Sequence, residues 1–258
     1  MPMQRIIPKF LLKGGRLVKR VRFDEREREA GNPVSTAKVY DAYGVDEMVF
    51  LDIEATVTGH GVLHATIERV AREIFMPFTV GGGVRTLDDV ECLLRSGADK
   101  VAVNTRAVED PAFIAAAARR FGDQCITVSV DYREVEPGVF RVFTHGGRTA
   151  TAHEPIAWCR RMQDQHCGEI LLSSIDRDGT MSGYDLDMIR GAVAAVDIPV
   201  VASSGAGSLQ HCREALAAGA SGITISSMFF FTDHSPIKVR TYLASNGVPV
   251  RSQKGSRS

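Results

Sequence analysis

The sequence has no excess of either charge: Lys plus Arg number 31 and Asp plus Glu number 31, so the formal net charge is zero. That balance excludes a global field for nucleic acid or an anionic membrane, and any anion site must be local. Cysteine is sparse, five in all (Cys92, Cys125, Cys159, Cys167, Cys212), an odd number without a C-x-x-C pair. This argues against a disulfide frame or a zinc site and for reduced thiols in the cytoplasm. No apolar run approaches the roughly 20 residues of a membrane span. The opening MPMQRIIPKF lacks the apolar core of a secretory signal. No G-x-G-x-x-G opens a first helix, which weakens a dinucleotide reading. No metal and no cofactor are expected, and the chain reads as a cytoplasmic protein that binds neither nucleic acid nor membrane.

What is present is an ordinary globular composition, 44% hydrophobic over 258 residues. Short apolar runs alternate with amphipathic segments. Strands are predicted at Ile6–Leu11, Met48–Ile53, Phe78–Val80, Val101–Val103, Ile126–Val130, Ile170–Ser173, Val200–Ala202 and Ile223–Ile225. Most are continuously apolar, as parallel strands covered on both faces are. Helices are predicted over Leu87–Ser96, Pro111–Arg120, Pro155–Gln165, Leu186–Val196 and Leu209–Ala218, with Gly97, Gly122, Gly168 and Gly219 as C-terminal stops. Eight βα units in this length fit an α/β fold, a single (β/α)8 TIM barrel over residues 1–251. A doubly wound open sheet is the runner-up. Residues 252–258 read as a disordered basic tail.

An internal repeat favours the barrel. PFTVGGGVRTLDDVECLLRSGADKVAVNT from Pro77 aligns without a gap on PVVASSGAGSLQHCREALAAGASGITISS from Pro199, an offset of 122 residues. The same offset sets Glu47 on Glu169. Two homologous half-barrels of four βα units explain this.

The repeat also doubles a motif. Gly81-Gly82-Gly83 follows the third strand and Ser203-Ser204-Gly205-Ala206-Gly207 the seventh. Each is matched by a small polar end on the next strand, Asn104-Thr105 and Ser226-Ser227. Glycines let backbone N–H groups approach an anion, and the loops after the last two strands are the usual phosphate site of such barrels. Two cups imply a small molecule with a phosphate at each end; ligand-free tight turns are the alternative. Carboxylates gather at the same face: Asp52 and Asp131 at strand ends, Asp176 and Asp178 after the sixth strand. They suit proton transfer or hydroxyl binding, against a plain capping or turn role.

Arg5, Glu47, Lys100 and Glu169 precede strands, so they belong at the opposite, bottom face. By chemistry alone this reads first as a stabilising ion cluster and second as a gate for a small polar molecule. Lys13, Arg16, Lys19, Arg20 and Arg22, followed by DEREREAGNP, read as a long, mobile, charged lid over an anionic ligand, or as a solvated charge run.

The segments RIIP, DEMVFLDI, TVGGGVRT, GADKVAVNT, THGGRT and GEILLSSIDRDGTMSGYD together resemble the cyclase subunit family of imidazole glycerol phosphate synthase, from Arg5 to about Arg251. The resemblance implies a barrel with a glutaminase subunit on its bottom face. Ammonia would enter through a gate formed by Arg5, Glu47, Lys100 and Glu169, which reverses the structural reading of that cluster. It implies a phosphorylated ligand held by Gly82, Asn104 and Thr105 at one end and by Gly179, Gly205, Ser226 and Ser227 at the other. Lys19, Asp52, Ser173, Asp178 and Ser203 would be substrate-binding, and Asp131 one of two catalytic aspartates. The family segment CLDVKDGRVVKG aligns with KFLLKGGRLVKR from Lys9, so Leu11 stands where the second aspartate belongs. LLKGGRLVK resembles a paralogous branch tied to surface-polysaccharide biosynthesis. There the barrel would pass ammonia to a separate amidating ligase that makes an acetamidino sugar. The alternative is the cyclase of histidine biosynthesis itself.

Overall fold

The computed structural model describes residues 3–24, 27–58 and 64–251. The predicted tail at 252–258 lies outside the described residues, as does part of the predicted lid. Among the described residues, twelve strands form one sheet: β1 (Arg5–Lys13), β2 (Arg16–Lys19), β3 (Arg28–Gly31), β4 (Met48–Asp52), β5 (Phe78–Gly81), β6 (Lys100–Val103), β7 (Ile126–Glu136), β8 (Val139–Thr144), β9 (Thr149–Ala150), β10 (Glu169–Ser174), β11 (Val200–Ser203) and β12 (Gly222–Ile225). The order β10-β11-β12-β1-β4-β5-β6-β7 is parallel throughout and closes through a β7–β10 pairing. That is a closed (β/α)8 barrel, and the open-sheet alternative is excluded.

Alternation along each strand divides two cores. Ile6, Phe10 and Leu12 of β1 point outward and pack under the helices, in the larger apolar cluster. Ile7, Val49, Leu171 and Val201 point inward and form a small separate cluster in the lumen. Arg5, Ile7, Lys9 and Leu11 therefore form one inward column on β1, because strand side chains on one face recur every second residue.

The half-barrel repeat is visible in the backbone. Gly82 and Gly83 have φ of 105° and 72°, and their counterparts Ser204 and Gly205 have 81° and 102°. Asn104 (φ −121°, ψ −80°) and Ser226 (φ −132°, ψ −84°) also share one conformation.

The helices run as predicted to within a residue or so: Leu87–Arg95, Ala112–Phe121, Pro155–Asp164, Leu186–Ala195 and Leu209–Ala217. Gly97, Gly122 and Gly219 take positive φ at the helix ends, but Gly168 does not. There His166 (φ 64°) makes the left-handed turn. Gly168 is small for another reason: a Cβ on it would lie 2.3 Å from the Asp123 carbonyl oxygen.

Two antiparallel hairpins extend the barrel at its top. β1 runs past the barrel wall to Lys13, turns through Gly14 (φ 54°) and Gly15 (φ 75°), and returns as β2. Two successive positive φ values are what a tight two-residue hairpin demands. The expected mobile lid is thus partly ordered: Leu17 and Val18 are buried, and β2 continues into β3. Asp131 does not end its strand either. β7 continues to Glu136 and pairs with β8.

Candidate functional site

The bottom cluster is a closed ring. Arg5 donates to Glu47 at 2.9 Å and to Glu169 at 2.5 Å, and Lys100 donates to the same two carboxylates at 3.0 and 3.1 Å. Thr79 adds a hydroxyl donor to Glu47 at 2.7 Å. Two cations alternate with two buried carboxylates, so the ring is neutral. Burial alone would lower the Arg5 guanidinium, but Glu169 and Glu47 outweigh it and hold it above its ordinary value. Directly above lies the apolar layer of Ile7, Val49, Leu171 and Val201.

The top of the lumen opens into two cavities that meet at Lys9 and Leu11. The larger, about 870 Å³ counting its open mouth, runs from these residues past Asp52, Asp131 and Ser173 to Gly82, Asn104 and Thr105. The smaller, about 390 Å³, runs to Lys19, Asp178, Gly179, Gly205, Ser226 and Ser227. The structure therefore brings together the residues expected at each cup. Gly82 and Gly205 admit no side chain: a Cβ on either would stand 2.1 Å from a carbonyl oxygen, of Asp52 and Gly183 respectively. Arg22 ties the chain leaving β2 to the loop of the smaller cup, its backbone N–H donating to the Asp178 carbonyl at 2.8 Å.

Asp131 accepts from Ser129 Oγ at 3.0 Å and from Asn104 Nδ2 at 3.1 Å. Its carboxyl faces the cavity but is enclosed by protein, and burial pushes its pKa up to about 6 against the pull of Ser129, Lys9 and Ser173. Lys19 donates to Ser226 Oγ and lies 4.0 Å from the Phe230 ring centre. Burial, with the nearby Lys9 charge, lowers its pKa to about 7 despite Asp178. Asp52 caps the short helix Ala55–Thr58, accepting from Glu54 and Ala55 N–H groups at 2.9 and 3.1 Å, while still lining the larger cavity. Asp176 is a hairpin anchor instead, accepting from the Glu134 N–H at 3.0 Å outside both cavities.

Sequence reasoning missed Lys9. It is 3% exposed, and its ammonium donates to Ser203 Oγ at 2.8 Å and pairs with Asp178 at 3.5 Å. The signal was present: a lysine inside an otherwise apolar strand, on the inward side shared with Arg5 and Ile7. Among the described residues no group of three or more His, Cys, Asp or Glu side chains is placed to hold a metal ion. Among them, too, no helix is long and apolar enough to cross a membrane.

Against known proteins, a family described as "Histidine biosynthesis protein" matches residues 5–235. A relative from Gluconacetobacter diazotrophicus, named imidazole glycerol phosphate synthase subunit HisF, is 49% identical over 247 residues, covering 96% of this chain and 95% of its own length.

Proposed function

The chain belongs to the histidine biosynthesis protein family, and on that footing we propose that it is the synthase subunit of a glutamine-dependent pair of the imidazole glycerol phosphate synthase type. The observation that carries this reading is the axial order of the lumen: an ion ring at the bottom, an apolar layer above it, and two anion cups at the top. A glutaminase docks on the bottom face and delivers ammonia at the ring. Neutral ammonia crosses the apolar layer at little cost, whereas ammonium would have to shed its hydration without a partner. At the top it meets a ligand stretched between the cups with a phosphate in each. The cups supply backbone N–H groups and small hydroxyls, and Lys19 adds a cation at the second. Identity to the HisF relative favours the cyclisation and cleavage of the phosphoribulosyl-formimino aminoimidazole carboxamide ribonucleotide as the reaction.

Leu11 favours a second reading. A leucine moves no proton, so the barrel would pass ammonia on to a separate amidating ligase making an acetamidino sugar for surface polysaccharide. One assay separates the two. Imidazole glycerol phosphate formation is measured with the bisphosphate substrate and ammonium salt, then with glutamine and purified glutaminase. Turnover by the unmodified chain in both arms supports cyclisation. No turnover in either arm, with activity appearing in Leu11→Asp, supports the second reading.

A further inference from the structure

Lys9 is a buried cation inside the barrel lumen, at the point where the two cavities meet. It sits in the inward column of β1, directly above the apolar layer and two residues before Leu11. Two residues of strand rise about 6.6 Å, a distance that an extended lysine stem covers. The lysine stem is long enough to reach across the lumen to Ser203, which pairs in register with Ser173 and through it with Asp131. The ammonium has crossed to Ser203 and Asp178, and Lys9 and Leu11 are the residues of β1 that line both cavities. A ligand spanning the cups must pass over it. Leu11 brings no proton-bearing group to this column, and Lys9, one inward position below it, is the nearest on β1 that does.

We propose that Lys9 is a catalytic residue: its ammonium protonates a carbonyl oxygen in the middle of the bis-phosphorylated ligand, with Asp131 as the opposing base. The proposal rests on the cyclisation reading above. As the lone pair of ammonia bonds to the carbonyl carbon, the C=O π pair moves to oxygen. That oxygen takes a proton from Lys9, which becomes a neutral amine. The new C–NH3+ group gives a proton to the Asp131 carboxylate, and the product is a neutral carbinolamine. A proton passing from Asp131 to Lys9 resets the pair. Ser203 and Asp178 hold the ammonium in place beforehand. Asp178 retains Ser204 Oγ as a donor at 3.1 Å when Lys9 is replaced, so the site keeps a partner for its charge.

The test is ammonium-dependent turnover of the bisphosphate substrate by the wild type, Lys9→Met and Lys9→Arg. Both variants should lose kcat by about 100-fold or more, the range for removal of a general acid, with little change in KM. Arginine keeps the charge but surrenders no proton. Should Lys9→Met fold poorly, the double variant Lys9→Cys/Leu11→Asp restores the family pair and should regain turnover. Wild-type turnover with full kcat in Lys9→Met would overturn the role of Lys9 alone. Full kcat in Lys9→Arg would reduce it to a fixed charge and overturn proton donation. A wild type inert with ammonium would overturn both this proposal and the cyclisation reading.

Discussion

Leu11 and Asp131 occupy the same place in the two halves of the barrel. Leu11 pairs with Leu51 across β1 and β4, and Asp131 pairs with Ser173 across β7 and β10. Leu51 and Ser173 are themselves counterparts at the repeat offset of 122 residues. The two-fold relation that doubles the cups therefore doubles this position as well, and only one copy is a carboxylate. If Asp131 is the base, ammonium-dependent kcat should rise with pH as its carboxyl deprotonates around its raised value of about 6. Asp131→Asn should lower kcat by about 100-fold or more and abolish that rise. A pH profile of kcat for the two proteins checks both points; an unchanged acid limb in the variant would assign the titration to another group.

Lys19 should make anion binding depend on pH in the opposite sense. With no anion present, burial and the Lys9 charge hold its amine at about 7. A phosphate in the second cup stabilises the charged form, so binding raises this value and takes up a proton near and above neutrality. Phosphate affinity should fall as pH rises from about 7. Calorimetry of inorganic phosphate in buffers of different ionisation enthalpy should show proton uptake in the wild type and none in Lys19→Met. Equal uptake by both proteins would remove Lys19 as the source.

Most of the barrel was legible because its signals are local. Apolar runs such as Ile170–Ser173 and the ungapped repeat fix strands and helices with no long-range knowledge. The cups were legible through the same repeat, which sets Gly82-Gly83 on Ser204-Gly205 and Asn104-Thr105 on Ser226-Ser227. Three features were not, each because a non-local partner decides it. The hairpin from β1 to β3 is held by Leu17, Val18 and the Arg22–Asp178 contact, which a count of basic residues does not reveal. Gly168 looks like a helix stop but is required by the approach of Asp123. Lys9 looks like one more charge near an exposed loop until the barrel closes and Ser203 and Asp178 arrive from β11 and the loop after β10.

Lys100 should couple the two half-reactions rather than either alone. It shares both carboxylates of the ring with Arg5, so Lys100→Ala leaves Glu47 and Glu169 buried beside one cation. Removing one partner of a buried ion pair costs up to about 3–5 kcal/mol. Here the lysine side chain is 19% exposed, so the loss belongs at the low end, readable as a lowered denaturation midpoint. With a glutaminase attached, more glutamine should be hydrolysed per product formed, while activity with added ammonium salt persists. A one-to-one ratio retained in Lys100→Ala would argue against passage of ammonia through the ring.

The second cup offers the sharpest steric test, because its two central residues tolerate change differently. Ser204 adopts φ 81° with a side chain in place, so the turn itself does not exclude a Cβ there. Ser204→Gly removes the strain of that backbone, worth about 1–3 kcal/mol, but also the hydroxyl donated to Asp178 at 3.1 Å. The two effects oppose, and the change in stability should be small. Gly205 has no such latitude. Its φ is 102°, and a Cβ would stand 2.1 Å from the Gly183 carbonyl oxygen. Gly205→Ala must displace the chain at Gly183, whose N–H donates back to the Gly205 carbonyl at 2.8 Å. A destabilisation of about 2–4 kcal/mol follows for strain of this kind. The cost to the ligand should be selective: affinity for a bisphosphate falls steeply, while a monophosphate seated in the Gly82 cup is little affected. Isothermal titration of both ligands against Ser204→Gly and Gly205→Ala measures this, and equal losses for the two phosphates would mean that the cups do not act as separate sites.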